Sequence, residues 1–440
     1  MDRILCLLIR ALAFLARLRI GSHEAWHPGE RLKLLLVGYN GARNTGSDVR
    51  VAALARQLKA VFGAENIQIT VMTLDETALE GYFDEDVALR PFSSIFLRDL
   101  YRACSQNHVA ILCEGSTLKS TFANALTLFM CEAAGIMAAQ GKPCIAVGSE
   151  VGRMDAYIRR AARKLCRDTY FITRTADALD ALKSLGLNGR AGTDTAWSYD
   201  AAISEDAARE LLTRQGWDGE KPLLGVAVID PFCWPVRASL RKWFRAKRTG
   251  HYEGQYDKWY FFSDSPERRA AYARYIGAVA EGIGRFMEAR DCFPVVIGME
   301  RLDERACSDL AAKLNRPCAM FLSGSTRANV MAGMLHSLDL LVTSRYHASV
   351  LAMQADVPIV AVSMDERLDG IMRELDMACD FLYHVTDGNL SEKIYQGLSN
   401  ADSDSRAISK RIHRQVNIYR ERLREMDDFI RDYICEKLHR

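Results

Sequence analysis

From residue 31 onward, short apolar runs alternate with longer stretches in which apolar positions recur every three to four residues. The first series of runs covers 34–37, 69–73, 109–113, 145–148 and 170–173. Runs this short and apolar throughout predict parallel strands buried on both faces. The stretches 47–62 and 122–140 between them predict helices. A second series follows at 223–229, 294–298, 320–324, 339–343 and 358–364, with predicted helices over 266–289, 327–335, 346–355 and 367–375. Alternation of this kind argues for an open parallel sheet covered by helices. Two series argue for two doubly wound, Rossmann-like α/β domains, 31–200 and 201–400, joined through 200–219.

Both ends of the chain carry helical patterns. From residue 405, Ile408, Ile412, Val416, Tyr419, Leu423, Met426, Ile430 and Tyr433 form one apolar stripe along a helix placed in 401–440. A helix this apolar on one side must dock, either clamping the two domains or meeting a second copy. Within 1–30, Arg3, Arg10 and Arg17 recur every seven residues among Leu, Ile and Phe. The apolar runs 4–9 and 11–16 are too short to span a bilayer. Arg10 interrupts what a signal peptide would need as its apolar region. The pattern is that of a basic amphipathic helix, lying on an anionic membrane surface or packed on protein.

Composition limits the function classes. The chain has 440 residues, 49% hydrophobic and 26% charged, which excludes a disordered or fibrous protein. Lys and Arg number 58 against 56 Asp and Glu, for a net charge of +2, so affinity for an anion must come from a local cluster. No nucleic-acid module is visible, and nucleic acid is not an expected partner. The twelve cysteines include no Cys-x-x-Cys, and no His-Glu-x-x-His occurs, so no metal site is expected. Thiols in apolar runs, such as Cys113 and Cys144, fit a reducing cytoplasm.

In open α/β sheets ligands bind beyond the carboxyl ends of the strands, and the candidate chemistry lies there. After the first strand, GYNGARNTGSDV leads into a helix, with Asn44 and Asp48 near its start. It reads either as a capped turn or as an acceptor-binding loop. After the third strand stands Glu114 in CEGST, and after the fourth Glu150 in GSEVG. Two carboxylates on one rim can serve as general bases for hydroxyls, or can bind loop amides. Arg174 ends the fifth strand, and Asp194 follows the next short one. The strand at 339–343 runs into Ser344, Arg345, Tyr346 and His347 before a small-residue helix. Arginine grips phosphate or carboxylate through two parallel hydrogen bonds, and histidine suits proton transfer near neutral pH.

The ordered set resembles the polysaccharide pyruvyl transferase family. The features are Asn44, Gly46 and Asp48 in the Gly-rich loop, the CEGST strand end, the Gly-Lys-Pro turn into GSEVG, Arg174, Asp194, Arg345-x-His347 and the following Val-Pro-Ile strand. They run from about residue 33 to 376. The family usually has Met-Arg-Leu-His where this chain has Ser344-Arg345-Tyr346-His347. The resemblance implies a two-domain GT-B-like fold with a cleft, the N-terminal domain on the acceptor side and the C-terminal domain on the donor side. It implies transfer of the enolpyruvyl group of phosphoenolpyruvate to two sugar hydroxyls of a cell-surface glycan precursor, as a cyclic ketal. Phosphoenolpyruvate is then a co-substrate, with no cofactor and no metal, and the acceptor a glycan or lipid-linked saccharide. Arg345, His347 and Arg174 would contact the donor. His347 would protonate its methylene carbon or stabilise the leaving phosphate. Glu114 would assist the attacking hydroxyl, and Asn44, Asp48 and Glu150 would face the acceptor. The same fold also admits a nucleotide-sugar glycosyltransferase, or a non-catalytic binding protein.

One insert stands apart. Residues 232–262 are basic and aromatic, with Arg237, Arg241, Arg245 and Arg248 at helical spacing beside Trp243 and Phe244. It reads as an interfacial helix, a lid over an anionic ligand, or a solvated basic face. The expected location is cytoplasmic, peripheral at the inner face of the membrane.

Overall fold

The computed structural model describes residues 2–18, 24–93, 95–200, 202–251 and 254–439. In the N-terminal domain β1 (Leu32–Val37), β2 (Ile67–Thr73), β3 (Val87–Pro91), β4 (Val109–Leu112), β5 (Cys144–Ser149), β6 (Tyr170–Thr173) and β7 (Asn188–Ala191) form one parallel sheet. Its order is β3-β2-β1-β4-β5-β6-β7, which reverses direction between β1 and β4. The central strands are buried on both faces, as their uninterrupted apolar runs require.

In the C-terminal domain the chain passes β8 (Leu223–Ala227), then the insert strands β9 (Arg237–Ala238), β10 (Gln255–Asp257) and β11 (Tyr260–Phe261). The domain continues through β12 (Phe293–Gly298), β13 (Ala319–Leu322), β14 (Leu340–Thr343), β15 (Ile359–Ser363) and β16 (Leu382–His384). The parallel sheet runs β13-β12-β8-β14-β15-β16, with its reversal between β8 and β14. Two Rossmann-like domains therefore face one another across a cleft, the GT-B arrangement. Strands β3 and β16, for which no run was identified, are sheet edges; with one side open, they lack a continuous apolar run.

The insert folds as a small antiparallel sheet, β10-β11-β9, with a helix at Leu240–Thr249. Arg237 lies in β9, so it does not share the helical face expected with Arg241, Arg245 and Arg248. The insert leans on the opposite domain, where the Val236 N–H donates to the Phe122 carbonyl at 2.8 Å.

The terminal helix Ser405–Leu438 clamps the two domains. Tyr419 stacks on Trp197 and Phe429 lies against Tyr170, both in the N-terminal domain. Arg422 pairs with Glu374, and Ser409 donates to the Asp356 carbonyl, both in the C-terminal domain. Its buried stripe follows the predicted positions to Ile430 and ends on Ile434, with Tyr433 half-buried beside it.

Two further contacts lock the cleft. Asn44 makes a β-bridge with Glu300, where the Thr45 N–H donates to the Met299 carbonyl at 2.8 Å and the Arg301 N–H to the Arg43 carbonyl at 3.0 Å. On the far side, the buried Lys119 ammonium sits 2.9 Å from Glu366 and 3.6 Å from Asp365. The helix Asp2–Leu18 packs on the N-terminal domain through Cys6, Ile9, Ala13 and Ala16. Among the described residues no helix is long and apolar enough to cross a membrane.

Candidate active site in the interdomain cleft

A cavity of about 520 Å³ opens between the domains. The Gly-rich loop after β1, Glu114–Ser116 after β4, Trp234 in the segment following β8, and Arg345–His347 after β14 all line it. These are the four strand ends at the two points where strand order reverses, where open sheets leave a crevice.

Asp194 is the hub beneath the floor. It is fully buried and takes hydrogen bonds from Arg50 Nε at 2.9 Å, Arg174 Nη1 at 3.0 Å and its own loop at Ala196 N–H, 3.0 Å. His347 Nε2 lies 3.5 Å from its Oδ2. Burial pushes the Asp194 carboxyl up, but Arg50, His347 and Arg174 together hold it well below the usual carboxylate range. Arg50 spends its remaining hydrogens on the Cys113, Val147 and Gly148 carbonyls, which ties helix Thr45–Phe62 to β4 and β5. Gly148 sits at φ 60°, and a Cβ there would come within 2.7 Å of Arg50 Nη2, so glycine admits the guanidinium.

His347 is largely covered, its side chain 15% exposed, and this desolvation lowers its pKa from the ordinary 6.5 against the opposing pull of Asp194. The imidazole is therefore neutral at pH 7 and available to accept a proton. Its position depends on Gly46: a Cβ there would lie 2.0 Å from His347 Nδ1. Arg174 donates Nε to Glu150 at 2.7 Å and lies over the Tyr346 ring at 4.5 Å. Arg174 Nη2 and His347 Nε2 are buried, and among the described residues neither has a hydrogen-bond partner.

Arg345 also lines the cavity, but acids already engage it. Its Nε donates to Asp303 at 2.8 Å and its Nη2 to Glu300 at 3.1 Å and to Asp303. Burial, opposed by Arg345 and reinforced by Glu300, raises the Asp303 carboxyl to about 6. The expected donor clamp is thus already engaged, with two carboxylates around one guanidinium.

The other expected residues divide in two. Asn44 lines the cavity while its side chain caps helix Thr45–Phe62 by accepting from Ser47 N–H at 3.2 Å. Glu114 lines it too, with its oxygens taking the Ser116 N–H at 3.0 Å and the Tyr39 N–H at 3.3 Å. Glu150 and Asp48 lie behind the wall, so neither faces an acceptor. Glu150 is buried against Arg174 and Thr175. Burial raises Asp48 to about 7, and it accepts from Gly41 N–H at 3.3 Å.

Arg50, Glu300 and Asp303 join the site without standing among the residues expected from sequence. Each had a signal. Arg50 is a lone cation among Val49, Val51, Ala52, Ala53 and Leu54, and Glu300 and Asp303 follow β12 as Glu114 follows β4. The aromatic wall of Phe92, Phe96, Phe122, Phe129, Trp234, Tyr256 and Tyr260 is assembled from distant segments and has no local signal.

No family model and no curated protein matches the sequence. Solved structures do. HepE from Anabaena, solved with UDP-glucose, superposes with a TM-score of 0.57 at 13% identity, over 93% of this chain and 100% of that one. A putative UDP-N-acetylglucosamine 2-epimerase from Listeria monocytogenes gives 0.55 at 13%, over 87% and 91%. The UDP-GlcNAc 2-epimerase of Neisseria meningitidis bound to UDP-GlcNAc gives 0.52 at 10%, over 90% and 100%. The likeness is one of fold. It covers both domains of this chain.

Proposed function

We propose that the chain is an enzyme of glycan assembly whose cleft binds a nucleotide-activated sugar and transfers the sugar to an acceptor hydroxyl. The observation that carries this reading is the pair of buried, unpartnered polar atoms at the cavity floor, Arg174 Nη2 and His347 Nε2, both beside Asp194. Buried polar atoms without partners are costly, and a bound ligand relieves them, an oxygen accepting from Arg174 Nη2 and a hydroxyl donating to His347 Nε2. Arg174 Nη2 is placed for a phosphate oxygen. His347, neutral by burial, takes the acceptor proton, and the Asp194 carboxylate stabilises the imidazolium that forms. The acceptor oxygen bonds to the sugar carbon as that carbon's bond to the diphosphate breaks, and the diphosphate leaves with the electron pair. The aromatic wall suits flat sugar faces and a base. The fold is shared with proteins solved with UDP-glucose and UDP-GlcNAc, which agrees with this donor class.

Ketal transfer from phosphoenolpyruvate is the second reading, favoured by Arg345 and His347 at one strand end before a helix. It asks His347 to donate a proton and Arg345 to grip an anion, whereas the ring is neutral and the guanidinium is already held by Asp303 and Glu300.

The experiment is incubation with a panel of nucleotide sugars, and separately with phosphoenolpyruvate, each with saccharide acceptors. Acceptor-dependent release of nucleoside diphosphate is expected, reduced about 10²–10⁴-fold in His347→Gln. Inorganic phosphate released only with phosphoenolpyruvate and a sugar would replace the first reading by the second. Release of neither product would sink both.

A further inference from the structure

The helix Asp2–Leu18 uses only a narrow side to hold itself on the domain, through Cys6, Ile9, Ala13 and Ala16. Its opposite side carries Ile4, Leu7, Leu8, Phe14, Leu15 and Leu18, each between 48% and 67% exposed. At about 100° per residue these positions fall within roughly 120° of the helix circumference, so they form one apolar stripe over the whole helix. Arg3, Arg10 and Arg17 are exposed along it. The helix beside it, Ala156–Leu165, turns Arg159, Arg160, Arg163 and Lys164 to solvent. The nearby acids Asp2 and Asp155 both bind Asn124, at one end of the patch.

A second element of the same kind lies in the insert. Helix Leu240–Thr249 exposes Leu240 and Phe244 at 46% and 61%, with Arg241, Lys242, Arg245, Lys247 and Arg248 and no acid. Its insert bonds to the Phe122 carbonyl, two residues from the Asn124 that holds Asp2. The first helix at Asp2 and the insert at Val236, four residues before its helix, therefore both meet the segment 122–124, one from each domain.

An apolar stripe bordered by cations does not suit a second copy of the chain, because pairing two such faces would set arginine against arginine. It does suit a surface that is apolar within and anionic at its boundary. We propose that these helices dock the protein on an anionic lipid bilayer, with the apolar residues in the acyl boundary and the arginines at the lipid phosphates. The inference holds whichever donor the enzyme uses.

The test is co-sedimentation of the full chain with phosphatidylcholine vesicles, with and without about a third phosphatidylglycerol. Binding is expected only to the anionic vesicles, weakened by added salt. The Leu7→Gln/Phe14→Gln double variant is expected to lower partitioning about tenfold or more while leaving circular dichroism and the unfolding temperature unchanged. The Arg10→Gln/Arg17→Gln variant is expected to weaken binding and flatten its salt dependence. A chain that stays in the supernatant, or a double variant that binds as well as the parent, overturns the proposal. So does a concentration-dependent oligomer in light scattering that the Leu7→Gln/Phe14→Gln change abolishes.

Discussion

Replacing Asp194 by Asn tests the organisation of the cleft floor. The side chain keeps its size and one oxygen, which can still accept from Arg50 Nε and the Ala196 N–H. The other oxygen becomes an amide donor facing Arg174 Nη1, at 3.0 Å in the parent, and His347 Nε2. Two buried guanidiniums are left with Glu150 as the remaining paired carboxylate. Removing one partner of a buried ion pair costs about 3–5 kcal/mol, because the other charge stays buried. For a domain of this size that corresponds to a fall in Tm of roughly 6–20 °C. The pH dependence gives a second signature. Asp194 titrates well below its ordinary value in the folded state, so its stabilising contribution is present above about pH 4 and is lost as the pH falls toward its folded pKa. The gap between variant and parent is therefore full at pH 7 and narrows below about pH 4. Urea or thermal unfolding across that range, followed by fluorescence, measures it. A loss under about 1 kcal/mol at pH 7, or a gap that does not shrink in acid, would refute the hub role assigned to Asp194.

Three other outcomes are expected. Asp48→Asn keeps an oxygen for the Gly41 N–H and removes a carboxyl that burial raises to about 7. An acid raised on folding costs stability as the pH climbs from its unfolded to its folded pKa. The variant should match the parent near pH 4 and exceed it by roughly 2–4 kcal/mol at pH 8, read by urea unfolding. Gly46→Ala places a Cβ 2.0 Å from His347 Nδ1, so turnover should drop at least about tenfold even though alanine is worth about 1 kcal/mol in a helix. Lys119→Met removes the buried ammonium of the second interdomain lock, but Asp365 keeps Arg367 at 2.7 Å and Glu366 is exposed, so a Tm loss from about 1.5–3 kcal/mol is expected in calorimetry.

The local pattern of the chain was enough to lay out most of the fold. Runs such as 34–37 and 339–343 are apolar at every residue because the central strands are covered on both sides, and this shows without knowledge of partners. The stripe from Ile408 to Ile430 likewise announced a docked helix, and strand ends pointed to Arg345 and His347. Helical periodicity also placed Cys6, Ile9 and Ala13 on one face of the first helix and Leu7 and Phe14 on another, but which face would be covered was not written in it.

What tertiary structure alone decided is which charge meets which. Arg50 and Asp194 lie 144 positions apart, and Arg345 reaches Asp303 over 42. A sequence shows that an arginine stands at a strand end. It does not show whether a carboxylate folded in from elsewhere has already neutralised it, and that decides between an anion clamp and a structural ion pair. For Arg345 the fold supplied two acids. For Arg174 it supplied Glu150 and Asp194 and left one buried nitrogen over the cavity. Strand ends can be read from periodicity because each is a local pattern, whereas charge pairing is long-range and depends on burial, so it exists only once each domain has folded.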